Sequence, residues 1–319
     1  LLWRSHFNYS LNANKLLQIR DGDLDRLLKE YNVTRKALNE MVANIRQWFE
    51  RQPHLPKEQL QDRMIIGHLI TRGFSVEQSK EKIDNYFSAR DRMPEILCNW
   101  EPIPINTAKY LKQGYWIIPP IRTPENHRVV IFRILHPEMV VLDVARIGFM
   151  LSDYRMFNET TEGDHWVYDF SQATLNHAIQ FNPLLITKIY YHITSCYALK
   201  LKGIHLVNVP SFAHSILALL KKIMKEKHRA RLHLYEGFNQ VFNILPKGVF
   251  PKDLGGTSNL TCQDIAENWH DTLQSNTWRS IFKHQEKSFR ADESKRLASD
   301  SNINGTFGAV GSFRKLDLD

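Results

Sequence analysis

Cysteine is scarce: Cys98, Cys196 and Cys262 are the 3 cysteines in 319 residues. They are odd in number, far apart, and form no CxxC pair and no Cys/His cluster of zinc spacing. Neither a disulfide framework nor a structural zinc site is expected. Such sparse thiols suit a reducing compartment. Long apolar runs are also missing. Residues 184–189 and 216–220 fall far short of the roughly 18 apolar residues of a membrane span and are flanked by polar residues. The first residues show no signal-peptide pattern, so a soluble, cytosolic protein is expected. The sequons at Asn8, Asn32, Asn158, Asn259 and Asn304 would matter only in the secretory pathway and read as chance matches.

Catalytic and nucleotide signatures are absent as well: there is no GxSxG, GxxxxGK[ST], HExxH or GxGxxG. The 14 histidines are scattered without a metal-ligand set, so no metal and no cofactor is expected. Asp169 sits where a strand ends, a place for an active-site carboxylate, but no base or nucleophile is placed beside it. The chain is therefore not expected to be an enzyme.

What is present is an ordinary globular composition, 43% hydrophobic and 24% charged. At roughly 150 residues per domain the length suggests about two domains, each able to bury a core. Charge is the unusual feature. Lys and Arg outnumber Asp and Glu by 42 to 34, a net +8, and the sequence pI is about 9.3. That balance implies an acidic partner, either nucleic acid or an anionic membrane.

Residues 22–97 read as a helical region. Leu24, Leu27, Leu28 and Tyr31 share one helical stripe, residues 39–51 continue the period, and Pro53 and Pro56 break it. Residues 61–72 form another helix with Gly73 as its stop. Ser75 caps a helix over 76–93 whose apolar face carries Ile83, Tyr86 and Phe87. From about residue 115 the period changes. Strand-like runs at 129–134, 165–170, 204–209 and 231–235 alternate with helical stretches at 142–156, 183–196 and 212–227. That alternation predicts an α/β domain with a mostly parallel sheet. Thr261, with Asp264 three residues on, starts a last helix. The division expected is 22–97 helical, 98–260 α/β, 261–290 a C-terminal helix and 291–319 a flexible tail.

The helix predicted over 212–227 comes after a turn at Asn208 and Pro210. Phe212, Ile216, Leu219, Leu220 and Ile223 fall on one face, while Lys221, Lys222, Lys225 and Lys227, then Arg229 and Arg231, crowd the C-terminal half. A basic amphipathic helix suits a membrane interface. The same pattern also describes a helix packed on its own core whose basic end complements the helix dipole.

In this segment Ile204-His205-Leu206-Val207-Asn208 with Pro210, followed by Gly255-Gly256, resembles the CRAL-TRIO lipid-binding family. Asp169-Phe170, Asn176-His177-Ala178, Pro183 and Lys200-Leu201-Lys202-Gly203 are similar in the same order. So are Thr71-Arg72-Gly73-Phe74 within the helical region and Gly311-Ser312-Phe313-Arg314-Lys315-Leu316 near the C-terminus. The resemblance covers nearly the whole chain from about residue 22.

The resemblance implies a helical domain followed by an α/β lipid-binding domain. Its sheet would floor an apolar cavity, closed by a mobile helical gate over 208–231. The cavity would enclose one small hydrophobic ligand, tocopherol-, retinoid- or carotenoid-like. Ligand candidates are Tyr168, Phe170, Phe181, Ile189, His192, Ile193, Leu199, Ile204, Phe212, Ile216 and Leu220, with contributions from residues 142–156. Tyr168 and His192 could hydrogen-bond a ligand oxygen. Burying about 500 Å² of ligand would be worth at most about 12 kcal/mol before association costs. Arg72, Lys200, Lys202, Lys227 and Arg231 match a basic cleft that binds phosphoinositide headgroups, while Gly67 and Ile70 stand where the family carries basic residues. The partners implied are a lipid ligand and a phosphoinositide-containing membrane, visited transiently at endosomal or other intracellular sites by a monomer. No nucleic acid is expected, since the chain lacks an aromatic–basic RNA-binding pattern and a helix-turn-helix. The alternative is a lipid-sensing adaptor that is recruited by phosphoinositides and does not transfer its ligand.

Overall fold

The computed structural model describes residues 16–18, 22–101, 103–181 and 183–297. The sequons at Asn8 and Asn304 and the family-like stretch 311–316 lie outside the described residues.

The chain opens with helices α1 (Asp23–Glu30), α2 (Arg35–Arg51), α3 (Asp62–Thr71), α4 (Val76–Arg92) and α5 (Pro94–Leu97). Their starts reflect local chemistry. The Thr34 hydroxyl accepts the Ala37 N–H at 3.1 Å, which begins α2 four residues before the apolar period becomes visible. Ser75 caps α4 in the same way. The stripes close on each other: Leu24, Leu27, Ile45, Phe49, Ile83, Tyr86 and Phe87 are all buried. Helix α4 also ties the helical region to the α/β domain. The Tyr86 hydroxyl and the Arg90 guanidinium both reach Asp153 at 3.1 Å, and the Tyr86 ring stands edge-on to Tyr197.

After α6 (Ile105–Gln113) come β1 (Trp116–Ile117), β2 (His127–Arg133), α7 (Val141–Asn158), β3 (Gly163–Asp169), α8 (Leu175–Gln180), α9 (Pro183–Ser195), β4 (Leu201–Val207), α10 (His214–Ile223), α11 (Glu226–Arg229), β5 (Leu232–Tyr235) and α12 (Phe238–Val241). The sheet order is β1-β2-β3-β4-β5, with β1 antiparallel and the rest parallel. Phe132, Tyr168, Leu206 and Leu234 face one another across four strands. Because side chains alternate along a strand, this row shares one face of the sheet with Trp166 and Ile204. The opposite face carries His127, His165 and His205, joined ring to ring at 3.2 and 3.0 Å and continued to the Tyr235 hydroxyl at 3.1 Å. Helices α13 (Cys262–Leu273) and α14 (Asn276–Ser288) complete the described fold.

Two expectations about elements change, and two elements were not foreseen. The single helix predicted over 212–227 is broken: α10 stops at Ile223, and Met224 is extended with ψ 139°. The Lys225 N–H donates instead to the Tyr190 hydroxyl (2.9 Å), which lies 2.7 Å from His228 Nδ1. Tertiary hydrogen bonds thus replace the helical ones at the break. The single C-terminal helix is two, because the Ser275 hydroxyl caps a new start at Trp278 N–H. Helix α6 and strand β1 gave no distinct periodic signal, being 9 and 2 residues long. The Thr261–Asp264 start forms a full capping box.

The Gly255-Gly256 pair has a steric reason. Gly255 is left-handed with φ 83°, and a Cβ on Gly256 would collide with the Phe250 carbonyl. Asn208, at φ 56°, makes the sharp turn out of β4, and its amide donates to Asp169 Oδ1 at 3.0 Å. The Ser171 N–H donates to the same oxygen at 3.0 Å. The one carboxylate the sequence offered as an active-site acid is thus engaged in joining two strand ends.

Candidate functional site

Between the sheet floor and its helices lies a cavity of about 230 Å³. A water molecule needs roughly 10–15 Å³ by the same measure, so this is not a packing defect. Phe132, Trp166, Tyr168, Ile204 and Leu206 form the floor, α7 one wall through Val141, Val144, Ala145, Gly148 and Phe149, and α8 and α9 another. Helix α10 and the residues before it roof it with Phe212, Ile216, Leu217 and Leu220. Among the described residues, no Lys, Arg, Asp or Glu lines it.

Nine of the eleven ligand candidates line this cavity: Tyr168, Phe170, Phe181, Ile189, Ile193, Ile204, Phe212, Ile216 and Leu220. His192 and Leu199 do not. On α9 the cavity face is Ile186, Ile189, Tyr190 and Ile193, spaced by three, four and seven residues. His192 falls off that stripe, beside the charges of Arg92 and Glu95, and burial holds its imidazole down at about 4. Its Nδ1 bonds the Lys188 carbonyl within its own helix. Leu199 lies in the loop before β4 and lines the neighbouring cleft. The sequence reading missed Leu206 and Phe132, which the period of two places beside Ile204 and Tyr168. It also missed Tyr190 on α9 and Trp116, the latter on a strand of two residues.

That cleft, of about 250 Å³, opens where the helical region meets the α/β domain. Arg72, Gly73 and Gln78 come from α3, α4 and the turn between them. Lys200 precedes β4, and Lys227, His228 and Arg231 come after α10. Lys200 Nζ donates to the Tyr31 hydroxyl at 3.1 Å, and Arg231 donates to the Leu201 carbonyl. Every charge acting on Lys227 is positive: burial lowers its pKa, and Arg72, Lys225 and Arg231 add to that. His228 is held down at about 4 by burial and by the same cations. Arg72 also feels Glu81, which does not line the cleft; the other cations repel one another, and an anion among them would relieve that repulsion.

Four of the five basic candidates meet here: Arg72, Lys200, Lys227 and Arg231. Lys202 does not. The β3–β4 register shifts by one residue, with Asp164 opposite Leu201 and His165 opposite Gly203, so Lys202 is the residue left over in a bulge. Its stem packs against Gly163 outside the cleft lining, yet burial and then Lys200 lower its pKa, with Arg231 adding to that and Glu162 and Glu30 opposing it. Gly67 and Ile70 line a separate small void, shared with Arg155, Glu159, Tyr197, Ala198 and Leu199.

Fold and site together define an α/β protein with a roofed apolar cavity and a cationic cleft sharing a wall, since Trp166 and Ile193 line both. Residues 105–256 match the family described as CRAL/TRIO domain, and residues 34–103 match the Pinta-like UBA domain. The chain thus carries a CRAL/TRIO domain over residues 105–256. It is 24% identical over 260 residues to the alpha-tocopherol transfer protein-like protein of Homo sapiens, covering 80% of this chain and 70% of that one. Clavesin-2 of Homo sapiens is 20% identical over 243 residues, covering 73% of each. The crystal structure of Sfh5 superposes with a TM-score of 0.45 at 13% identity, over 84% of this chain and 99% of that one. Among the described residues no helix is long and apolar enough to cross a membrane.

Proposed function

We propose that this protein encloses one small hydrophobic lipid and exchanges it at phosphoinositide-containing membranes, with α10 as the gate. The observation that carries the reading is a charge-free cavity whose roof runs directly into a cationic cleft. Burial of apolar surface retains the lipid. Because α10 ends at a break held by a few hydrogen bonds, it can lift with little loss of structure elsewhere.

The membrane would be met by two surfaces. Lys227, Arg231, Arg72 and Lys200 would take the clustered phosphates of a headgroup. Beside the roof, Ala178 and Phe181 line the cavity, while Leu175 and Ile179 of α8 are 63% and 77% exposed and Leu184 of α9 is 59% exposed. Exposed apolar side chains at the rim of a lipid cavity mark a membrane contact, and these would reach bilayer when the protein docks.

The test is direct. Protein purified from a lipid-rich eukaryotic host is extracted with organic solvent and examined by mass spectrometry. One stoichiometric hydrophobic molecule is the expected result. An empty extract, repeated after incubation with a mixed lipid pool, overturns the reading. Transfer of the bound lipid between vesicles separates a carrier from an adaptor that binds without exporting.

A further inference from the structure

We infer that Tyr168 anchors the head of the bound lipid, and that this lipid is uncharged with a single hydrogen-bonding oxygen, an alcohol, phenol, aldehyde or ketone. This deepens the enclosure proposed above and rests on it. A phospholipid or a fatty-acid anion is excluded from the cavity by the same argument.

Among the described residues that form the wall, none carries a charged side chain. A phosphate or carboxylate inside would be a buried, unpaired charge, the most costly group to place in an apolar site. The cationic cleft lies beyond Trp166 and Ile193 and is a separate site. The ligand must therefore be neutral within the cavity.

Most polar groups on the wall are already satisfied. Trp116 donates to the Val144 carbonyl at 2.6 Å. The Tyr190 hydroxyl is engaged by the Lys225 N–H and His228. His177 accepts the Thr174 N–H at Nδ1 (3.0 Å) and donates from Nε2 to the His136 carbonyl (2.9 Å). The Trp166 indole is directed to Asp164 at 3.4 Å. The Tyr168 hydroxyl differs: no hydrogen bond to it is made among the described residues. Tyr168 stands mid-floor on β3, its ring 5.9 Å from Phe132 and 6.4 Å from Phe170, which holds it in one direction. Burial alone pushes its phenol upward, so it stays protonated, able both to donate and to accept. Tyr168 is half-buried and faces the cavity, and one ligand oxygen there supplies the partner that its phenol lacks.

The experiment uses three probes of one chain length, hexadecanol, hexadecane and hexadecanoate, delivered as cyclodextrin complexes to delipidated full-length protein near pH 8. Affinities are compared for the parent and Tyr168→Phe, which keeps ring and volume. Hexadecanol should bind the parent about three- to tenfold more tightly than hexadecane, the worth of one hydrogen bond. Hexadecanoate should bind more weakly than hexadecanol. Tyr168→Phe should erase the alcohol preference while hexadecane binding stays within about twofold, which also shows the variant to be folded. An alcohol preference that survives Tyr168→Phe, or hexadecanoate binding as well as hexadecanol, overturns the anchor. Hexadecane binding without any alcohol preference overturns the anchor and leaves enclosure standing. If none of the probes binds, enclosure and anchor fall together.

Discussion

The cavity and the cleft share Trp166 and Ile193, yet obey opposite rules. In the cavity, 29 residues converge without one formal charge. In the cleft, four basic side chains from separate segments converge without a carboxylate lining it. The cavity is completed by apolar cargo, since an empty apolar space forfeits packing contacts along its walls. The cleft is completed by an anion, because its clustered cations repel one another. The proposed exchange uses both, one site satisfied by the cargo in water and the other on arrival at a membrane.

Acid acts on both regions at once and should have the largest effect. His192 beneath the cavity, His228 in the cleft, and His127 on the sheet's far face are held down at about 4, and His205 at about 3, with burial the leading cause in each. Their folded values lie below the unfolded value near 6.5, so between those limits the unfolded chain binds more protons. Stability is therefore fully present above about pH 6.5 and is lost as pH falls toward 4, at no more than about 1.4 kcal/mol per pH unit for His192 and for His205, and less for the more solvated His127 and His228. Denaturant unfolding across that range checks it; a flat profile would mean these rings are protonated in the fold.

Mutations separate the two regions. Ile189→Trp, placed inside the cavity, should lower co-purifying lipid more than tenfold at unchanged affinity for anionic vesicles. Retained lipid would show that the cavity is not the cargo site. Lys227→Ala with Arg231→Ala should leave the lipid content alone and weaken binding to phosphoinositide vesicles about thirtyfold, near 1 kcal/mol for each charge, and less at high salt. Equal binding by variant and parent at physiological salt would remove the cleft from the proposal. The smallest effect is expected from Leu175→Ser with Ile179→Ser. Vesicle affinity should fall about tenfold through lost apolar insertion, with its salt dependence preserved.

Much of this was legible along the chain. Strand runs alternating with helices imply the parallel sheet, and a period of two marks Tyr168 and Ile204 as one face. The failures are equally local in origin. Lys202 looked like a partner of Lys200 because residues two apart on a strand share a face. A one-residue bulge against β3 cancelled that rule. His192 lies one residue before Ile193 and one helical step, about 100°, turns it away from the cavity. The helix over 212–227 has a continuous pattern, and its break at Met224 is made by Tyr190, 34 positions earlier.

By itself the sequence determined the class of element at each place, the turns that need Asn208, Gly255 and Gly256, and the excess of positive charge. These depend on neighbours within a few residues, where backbone sterics and side-chain period act directly. Tertiary structure alone decided that Arg72 joins Lys200, Lys227 and Arg231, that Lys202 does not, and that the Tyr168 hydroxyl stays without a partner. Those outcomes depend on strand register and on how helices from distant segments dock. Both are settled by the total burial the chain can achieve, which no short window of residues contains.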